Sequence, residues 1–333
     1  MAAVTEAGRP SGGAGQPAQP CVALLSQTLD MQYLAPAFRA QCPGIELRLG
    51  KSPGELGDLT QIDAAVCWHP PHGLLAQMPR LRLVQSVGAG IDHIMADPGL
   101  PPRLPVCRIV DRQMAAGMRA YVAWAVIRQQ RGMDRCERNA ARRLWRDQPV
   151  PAPGRHCVGI AGFGTLGLAC AEALLAIGYR VRGWSRSPRA DAPAGVETFD
   201  GAQQLDAFLS GCDTLVCLLP LTEDTRGFLC AKVFARLPRG AHLINVGRGE
   251  HLVEADLLAA LETGQLGAAT LDALTREPLP PEHPFWADPR ILVTPHIATR
   301  TDTAVIARQT LDNLALLQRG QQPLNIIDRS RAY

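Results

Sequence analysis

Residues 157–167 read CVGIAGFGTLG, an apolar run entering Gly162-Phe163-Gly164-Thr165-Leu166-Gly167, and the apolar segment LGLACAEALLAIG follows. A GxGxxG between a strand and a helix has a specific physical use. The first glycine permits a tight turn, the second lets the backbone approach a pyrophosphate, and the third lets the helix pack close to the strand. The stretch predicts a dinucleotide-binding strand-loop-helix unit with Gly162, Phe163, Gly164, Thr165, Leu166 and Gly167 around the phosphates. A tight turn with no ligand is the bland alternative.

The next strand, YRVRGWS (179–185), sharpens the cofactor. Ser185 stands 18 residues past Gly167, where an NAD-binding unit carries an acid for the adenine ribose hydroxyls. Here the chain reads Ser185-Arg186-Ser187. A carboxylate would repel a 2′-phosphate, whereas two hydroxyls and a guanidinium fork would hold one. NADPH is therefore expected over NADH, with Arg189 a second contact; a solvated surface arginine is the alternative.

Working outward, further strands are expected at TLVCLLP (214–220), HLINVG (242–247), GAATLDAL (267–274) and ILVTPH (291–296), six in all for this half. An earlier series comprises VALLSQ (22–27), IELRLG (45–50), AAVCWH (64–69), LRLVQSVG (81–88) and VCRIV (106–110), with a helix around 29–40. Strands alternating with helix-length segments predict an α/β protein of two Rossmann-like domains, doubly wound parallel sheets with a cleft between them. One long helical stretch, about 113 to 145, joins the series. A terminal helix (301–320) is read as crossing back, giving a discontinuous substrate domain (20–112 and 300–333) and a nucleotide domain (113–299). Residues 1–19, rich in Gly, Ala and Pro, are expected to be disordered.

The 333 residues carry 34 basic and 31 acidic side chains, a net charge of +3, and no apolar run of membrane-spanning length. That balance argues against a nucleic-acid-coating surface and, with no apolar run, against a membrane. Ten cysteines without paired spacing fit a reducing cytoplasm. The arginines between Arg128 and Arg146 read as a solvated helical face. His69 and His72 in WHPPH lack a third ligand at suitable spacing, so no metal is expected.

Three segments fall at or just beyond strand ends: NVGRG (245–249), LDALTREP (271–278) and TPHIA (294–298). Arg248 can hold a substrate carboxylate and polarise the neighbouring carbonyl, His296 can protonate the developing alkoxide, and Glu277 can hold the imidazole. These roles predict reduction of a 2-oxo acid by hydride transfer.

From about residue 60 onward the chain resembles the D-isomer-specific 2-hydroxyacid dehydrogenases, in particular the glyoxylate/hydroxypyruvate reductase A-like branch. The resemblance is carried by AAVCWHPP, LVQSVGAGIDHI, GFGTLG, GWSRS, LLPLTEDTRG, INVGRGEHLVEADLLAAL, LDALTREPLPPEHPFW and TPHIA. It implies Arg248, Glu277 and His296 as catalytic residues, and cofactor contacts from Leu219, Pro220, Thr225, Val246, Gly247, Asp272 and His296. Asp272 would accept a hydrogen bond from the nicotinamide carboxamide. Val87, Gly88, Ala89 and Gly90 would receive the substrate carboxylate through their backbone, and Trp68 would wall the pocket; an ordinary core tryptophan is the other reading of Trp68. The resemblance also implies a homodimer through residues 113–146, with Trp145 approaching the neighbouring pocket. Departures are Thr299-Arg300-Thr301 after TPHIA, where many relatives have small residues, and a first sixty residues with little match. Two other functions stay open at this point: a dinucleotide-sensing corepressor-like scaffold with little turnover, and an NAD-dependent dehydrogenase of another D-2-hydroxy acid.

Overall fold

A computed structural model describes residues 19–329, so the expectation for the N-terminal segment lies, Gln19 apart, outside the described residues. Strands β1 (Cys21–Ser26), β2 (Glu46–Leu49), β3 (Ala64–Trp68), β4 (Leu83–Ser86) and β5 (Val106–Cys107) form one parallel sheet in the order β2-β1-β3-β4-β5. Helices α1 (Ala35–Gln41), α2 (Pro53–Leu56) and α3 (Asp92–Met95) belong to this half. Every residue of β1 and β4 is buried, as expected of strands covered on both faces.

The segment read as one long helix is two, α4 (Arg112–Gln130) and α5 (Met133–Ala141). Gly132 between them takes φ 64, a left-handed conformation that costs glycine little and ends the regular helix. Past α5 the chain to Trp145 is not helical. Helix α4 packs Met118, Val122 and Val126 against Cys170 and Leu174 of α6 (Thr165–Ile177).

The second sheet comprises β6 (Cys157–Ala161), β7 (Arg180–Ser185), β8 (Val196–Asp200), β9 (Thr214–Cys217), β10 (Ala241–Asn245), β11 (Leu266–Leu271) and β12 (Ile291–Val293), all parallel. Its order, β12-β11-β10-β9-β6-β7-β8, reverses direction at β6, and its helices α7 (Leu205–Leu209), α8 (Ala231–Phe234) and α9 (Glu254–Glu262) lie between strands in sequence. The six expected strands are thus seven. The missed strand, VETFD, is an edge strand with no buried residue, so it carries no apolar run to betray it. Both sheets are of the expected doubly wound kind.

The last helix, α10 (Thr303–Gln318), lies on α1 and contacts β3 and β4 of the first sheet. Its Ile306, Ala307 and Leu314 share a buried cluster with Val22, Leu24 and Phe38. Fully burying side chains the size of Ile306 and Leu314 contributes about 1.5–3 kcal/mol each, so the first sheet depends on a helix that follows its last strand only after the whole second sheet.

Candidate active site

At the β6–α6 turn, Gly162 has φ 100, and a Cβ there would stand 2.4 Å from the Leu218 carbonyl carbon. The turn is thereby pressed against the chain leaving β9, and Gly167 is held as closely, its Cβ position being 2.5 Å from the Gly162 oxygen. A Cβ on Gly164, by contrast, would meet nothing within 4 Å. Gly164 is also the N-cap of α6 and offers no capping side chain, so open space lies in front of uncapped amides at a positive helix end. Phe163 is buried, with its ring on Gly183 of β7, so only its backbone is available to a ligand. Leu219 and Val246 are nearly as buried. The Thr225 hydroxyl donates to the Pro220 carbonyl at 2.7 Å and accepts from the Thr222 amide at 2.8 Å, clamping the 220–225 turn beside them. Gly247 donates its amide to Asn245 Oδ1.

At the end of β7, Ser185 donates its hydroxyl to the Ser187 carbonyl at 2.7 Å, and Arg186 and Ser187 are exposed. Arg189, expected as a second phosphate contact, pairs its guanidinium with Asp191 through bonds of 2.8 and 2.7 Å.

Arg248 follows β10 and reaches across to the first half of the chain. Its Nε donates to both oxygens of Asp92, at 3.0 and 3.1 Å, and its Nη1 to the Gly247 carbonyl at 2.9 Å. Burial alone would raise the Asp92 carboxyl, but the charge and hydrogen bond of Arg248 outweigh it and hold Asp92 below its ordinary value. The remaining arm, Nη2, lies against the Cα of Gly90, where a Cβ would be 1.6 Å away. Any other residue at 90 would displace the guanidinium. Within the 87–90 turn the Val87 amide bonds the Cys67 carbonyl and the Gly88 amide bonds Ser86 Oγ. Of the four residues expected at the carboxylate, Val87 and Gly88 therefore already have partners for their amides, and Gly90 lies beside Nη2.

His296 Nδ1 lies 3.1 and 3.0 Å from the two Glu277 oxygens. Burial opposes ionisation of Glu277, yet the hydrogen bond and charge of His296, the Leu274 amide and Arg248 together lower its carboxyl below the usual range. His296 itself has φ 52, uncommon for a residue with a side chain. Its loop is held by buried Asp272, whose carboxylate accepts from Thr294 Oγ1 at 2.6 Å and from the amides of Ile297 and Ala298 at 2.8 Å each. Because Thr294 spends its proton on Asp272, the Tyr121 hydroxyl, 2.6 Å away, must be the donor to Thr294. Burial pushes Tyr121 up to about 12, which keeps that proton in place. Asp272 therefore has a structural task that its motif did not disclose.

Trp68, at the end of β3, stands edge-on to His296 with centroids 5.5 Å apart, so it faces the site. Sequence reasoning missed Asp92, Tyr121 and Thr294 as supporting groups. Asp92 stands two residues after Gly90 within a motif quoted for its backbone; nothing local in sequence pairs Tyr121 with Thr294.

A model of the family described as "D-isomer specific 2-hydroxyacid dehydrogenase, NAD binding domain" matches residues 123–298. The chain is 44% identical over 282 residues to a glyoxylate/hydroxypyruvate reductase A of Serratia proteamaculans, covering 83% of this chain and 90% of that one. Its likeness to the protein of the same name in Yersinia enterocolitica is 39% over the same length. Among solved structures, a D-isomer specific 2-hydroxyacid dehydrogenase from Xanthobacter autotrophicus, in complex with NADPH and MES, superposes with TM-score 0.85 at 38% identity, covering 95% of this chain and 100% of that one. An NADPH-dependent glyoxylate/hydroxypyruvate reductase from Sinorhizobium meliloti, in complex with NADP and sulfate, gives 0.86 at 38% identity with the same coverage.

Proposed function

This chain belongs to the D-isomer-specific 2-hydroxyacid dehydrogenase family, and on that footing we propose that it reduces small 2-oxo acids, glyoxylate and hydroxypyruvate foremost, to 2-hydroxy acids with NADPH. The open approach at Gly164 in front of the uncapped α6 amides fits a pyrophosphate, and the Ser185-Arg186-Ser187 stretch, which has two hydroxyls and a guanidinium in place of a carboxylate, fits a 2′-phosphate. When bound, NADPH supplies the hydride. The substrate carboxylate is assigned to Arg248 Nη2 and the Ala89 and Gly90 amides, which leaves the adjacent carbonyl beside His296. His296 donates a proton to the carbonyl oxygen as the carbon accepts the hydride, and Glu277, paired to Nδ1, holds Nε2 toward the substrate. Asp92 orients Arg248, while Asp272 and Thr294 shape the His296 loop. Trp68 walls the pocket and limits substrate bulk.

The observation that carries this reading is the pairing of His296 with Glu277, itself within electrostatic reach of an Arg248 set on Gly90. The deciding experiment is a panel of initial rates with 2-oxo acids, each run with NADPH and NADH. Turnover of glyoxylate and hydroxypyruvate with NADPH preferred supports the reading, and binding of NADPH without turnover refutes it.

The chain is further read as a nucleotide lobe (113–299) and a substrate lobe built from both ends (20–112 with 300–333), working as a homodimer in the cytoplasm. An apolar groove of about 540 Å³ between α4 and α5, lined by Ala123, Trp124, Ile127 and Met133, supports the dimer. Trp124 and Met133 are exposed there, and Trp145, past the end of α5, is exposed as well. All ten cysteines are unpaired, and no helix among the described residues is long and apolar enough to cross a membrane.

A further inference from the structure

Beside Trp68 stands a second ring to which no role has yet been given. His69 adopts φ 46, a left-handed conformation disfavoured for a residue with a side chain, on a backbone pinned by the Gln27 amide to the His69 carbonyl at 3.0 Å. Two prolines follow it. Strain of this sort persists only where the surroundings impose it, and it gathers at sites that handle ligands. The imposed conformation sets the His69 ring 5.0 Å from Trp68, edge to face, and 5.0 Å from His93. His93 in turn packs 4.7 Å from Trp68, completing a triangle of rings, and His296 stands edge-on to the same tryptophan. His93 is buried and neither ring nitrogen meets a hydrogen-bond partner in good geometry, so it serves as a packed shelf under His69. His69 is exposed, within electrostatic reach of Asp92, Arg248, Glu277 and Glu250.

We propose that His69 is a specificity-determining residue that hydrogen-bonds a hydroxyl on C3 of the substrate, making 3-hydroxy-2-oxo monocarboxylic acids the favoured class. The inference rests on the reductase reading above. With the carboxylate on Arg248 and the Ala89 and Gly90 amides, and the carbonyl oxygen on His296, the third substituent of the carbonyl carbon is directed to the Trp68 wall. His69 stands edge to face against that wall. Burial lowers its pKa below the ordinary histidine value, and the neutral imidazole this favours offers one donor and one acceptor, matching a hydroxyl. A second carboxylate would find no countercharge in a neutral ring and would meet Asp92 and Glu250 nearby. A bare aldehyde such as glyoxylate leaves the imidazole nothing to bind.

The test compares kcat/KM for hydroxypyruvate and glyoxylate, with NADPH, in the wild type and two variants. His69→Phe keeps a ring and removes both nitrogens; His69→Asn keeps a donor and tolerates the left-handed backbone. Loss of one hydrogen bond inside a substrate site is worth about a tenfold or greater change. The hydroxypyruvate-to-glyoxylate ratio is therefore expected to fall about tenfold or more in His69→Phe and distinctly less in His69→Asn. A ratio within about twofold of wild type in His69→Phe, or equal falls in both variants, overturns the inference. A wild type that turns over neither substrate overturns the reductase reading itself, a different outcome from an unmoved ratio.

Discussion

At the scale of single residues, Glu277 carries a pH signature. Its carboxyl is depressed in the folded protein, chiefly against burial, by the bond to His296. A depressed carboxyl stabilises the fold fully above its unfolded value near pH ~4.3 and loses that contribution as pH falls through the folded value. With the side chain about one-third exposed, the contribution is of order 1 kcal/mol or less. Glu277→Gln should therefore lower the melting temperature at pH 6 by a few degrees and by less at pH 3, while kcat falls on the order of 100-fold. Thr294→Val cuts the chain from Tyr121 to Asp272. It is expected to reduce kcat about tenfold with KM nearly unchanged, since it disturbs where His296 points and not what binds the carboxylate; a change in KM alone would count against that role. Arg186→Asp places an acid where a 2′-phosphate would lie, and the ratio of kcat/KM for NADPH over NADH should drop at least about tenfold, to or past reversal.

Among elements, the β6–α6 turn separates two uses of glycine that look alike in sequence. Gly162→Ala forces a methyl into the Leu218 backbone at a φ of 100 and should cost stability, on the order of 2 kcal/mol or more, read as a lowered melting temperature. Gly164→Ala has space for its methyl in the free protein, so it should melt near the wild-type temperature yet raise KM for NADPH about tenfold or more. The same contrast explains what sequence could reveal. GFGTLG, the strand ends bearing Arg248, Asp272 and His296, and the alternation of strands were legible because each is a short-range pattern. The β8 edge strand was not, because it buries nothing, and the break at Gly132 was lost among helix-favouring neighbours. Asp92 and Tyr121 escaped for another reason: their partners lie 156 and 173 residues away, and such contacts arise only when the chain has folded.

For the molecule as a whole, the groove between α4 and α5 leaves Trp124 and Met133 partly uncovered. Replacing Met133 by Lys should shift the protein toward the monomer in sedimentation, with loss of activity following only if the second copy completes or steadies the pocket. Tyr121, which packs its ring 5.3 Å from Trp124 and bonds Thr294, sits between that face and the His296 loop. The placement of α10 on the first sheet has a consequence for the order of events in the cell. Helices and strands of the nucleotide half are contiguous in the chain and can close as they leave the ribosome. The sheet made first must wait, one flank bare, for Ile306 and Leu314 to emerge. At about 5–20 residues per second that interval lasts on the order of ten seconds or more, so the first sheet is finished after the second, and chaperones have longer access to its strands.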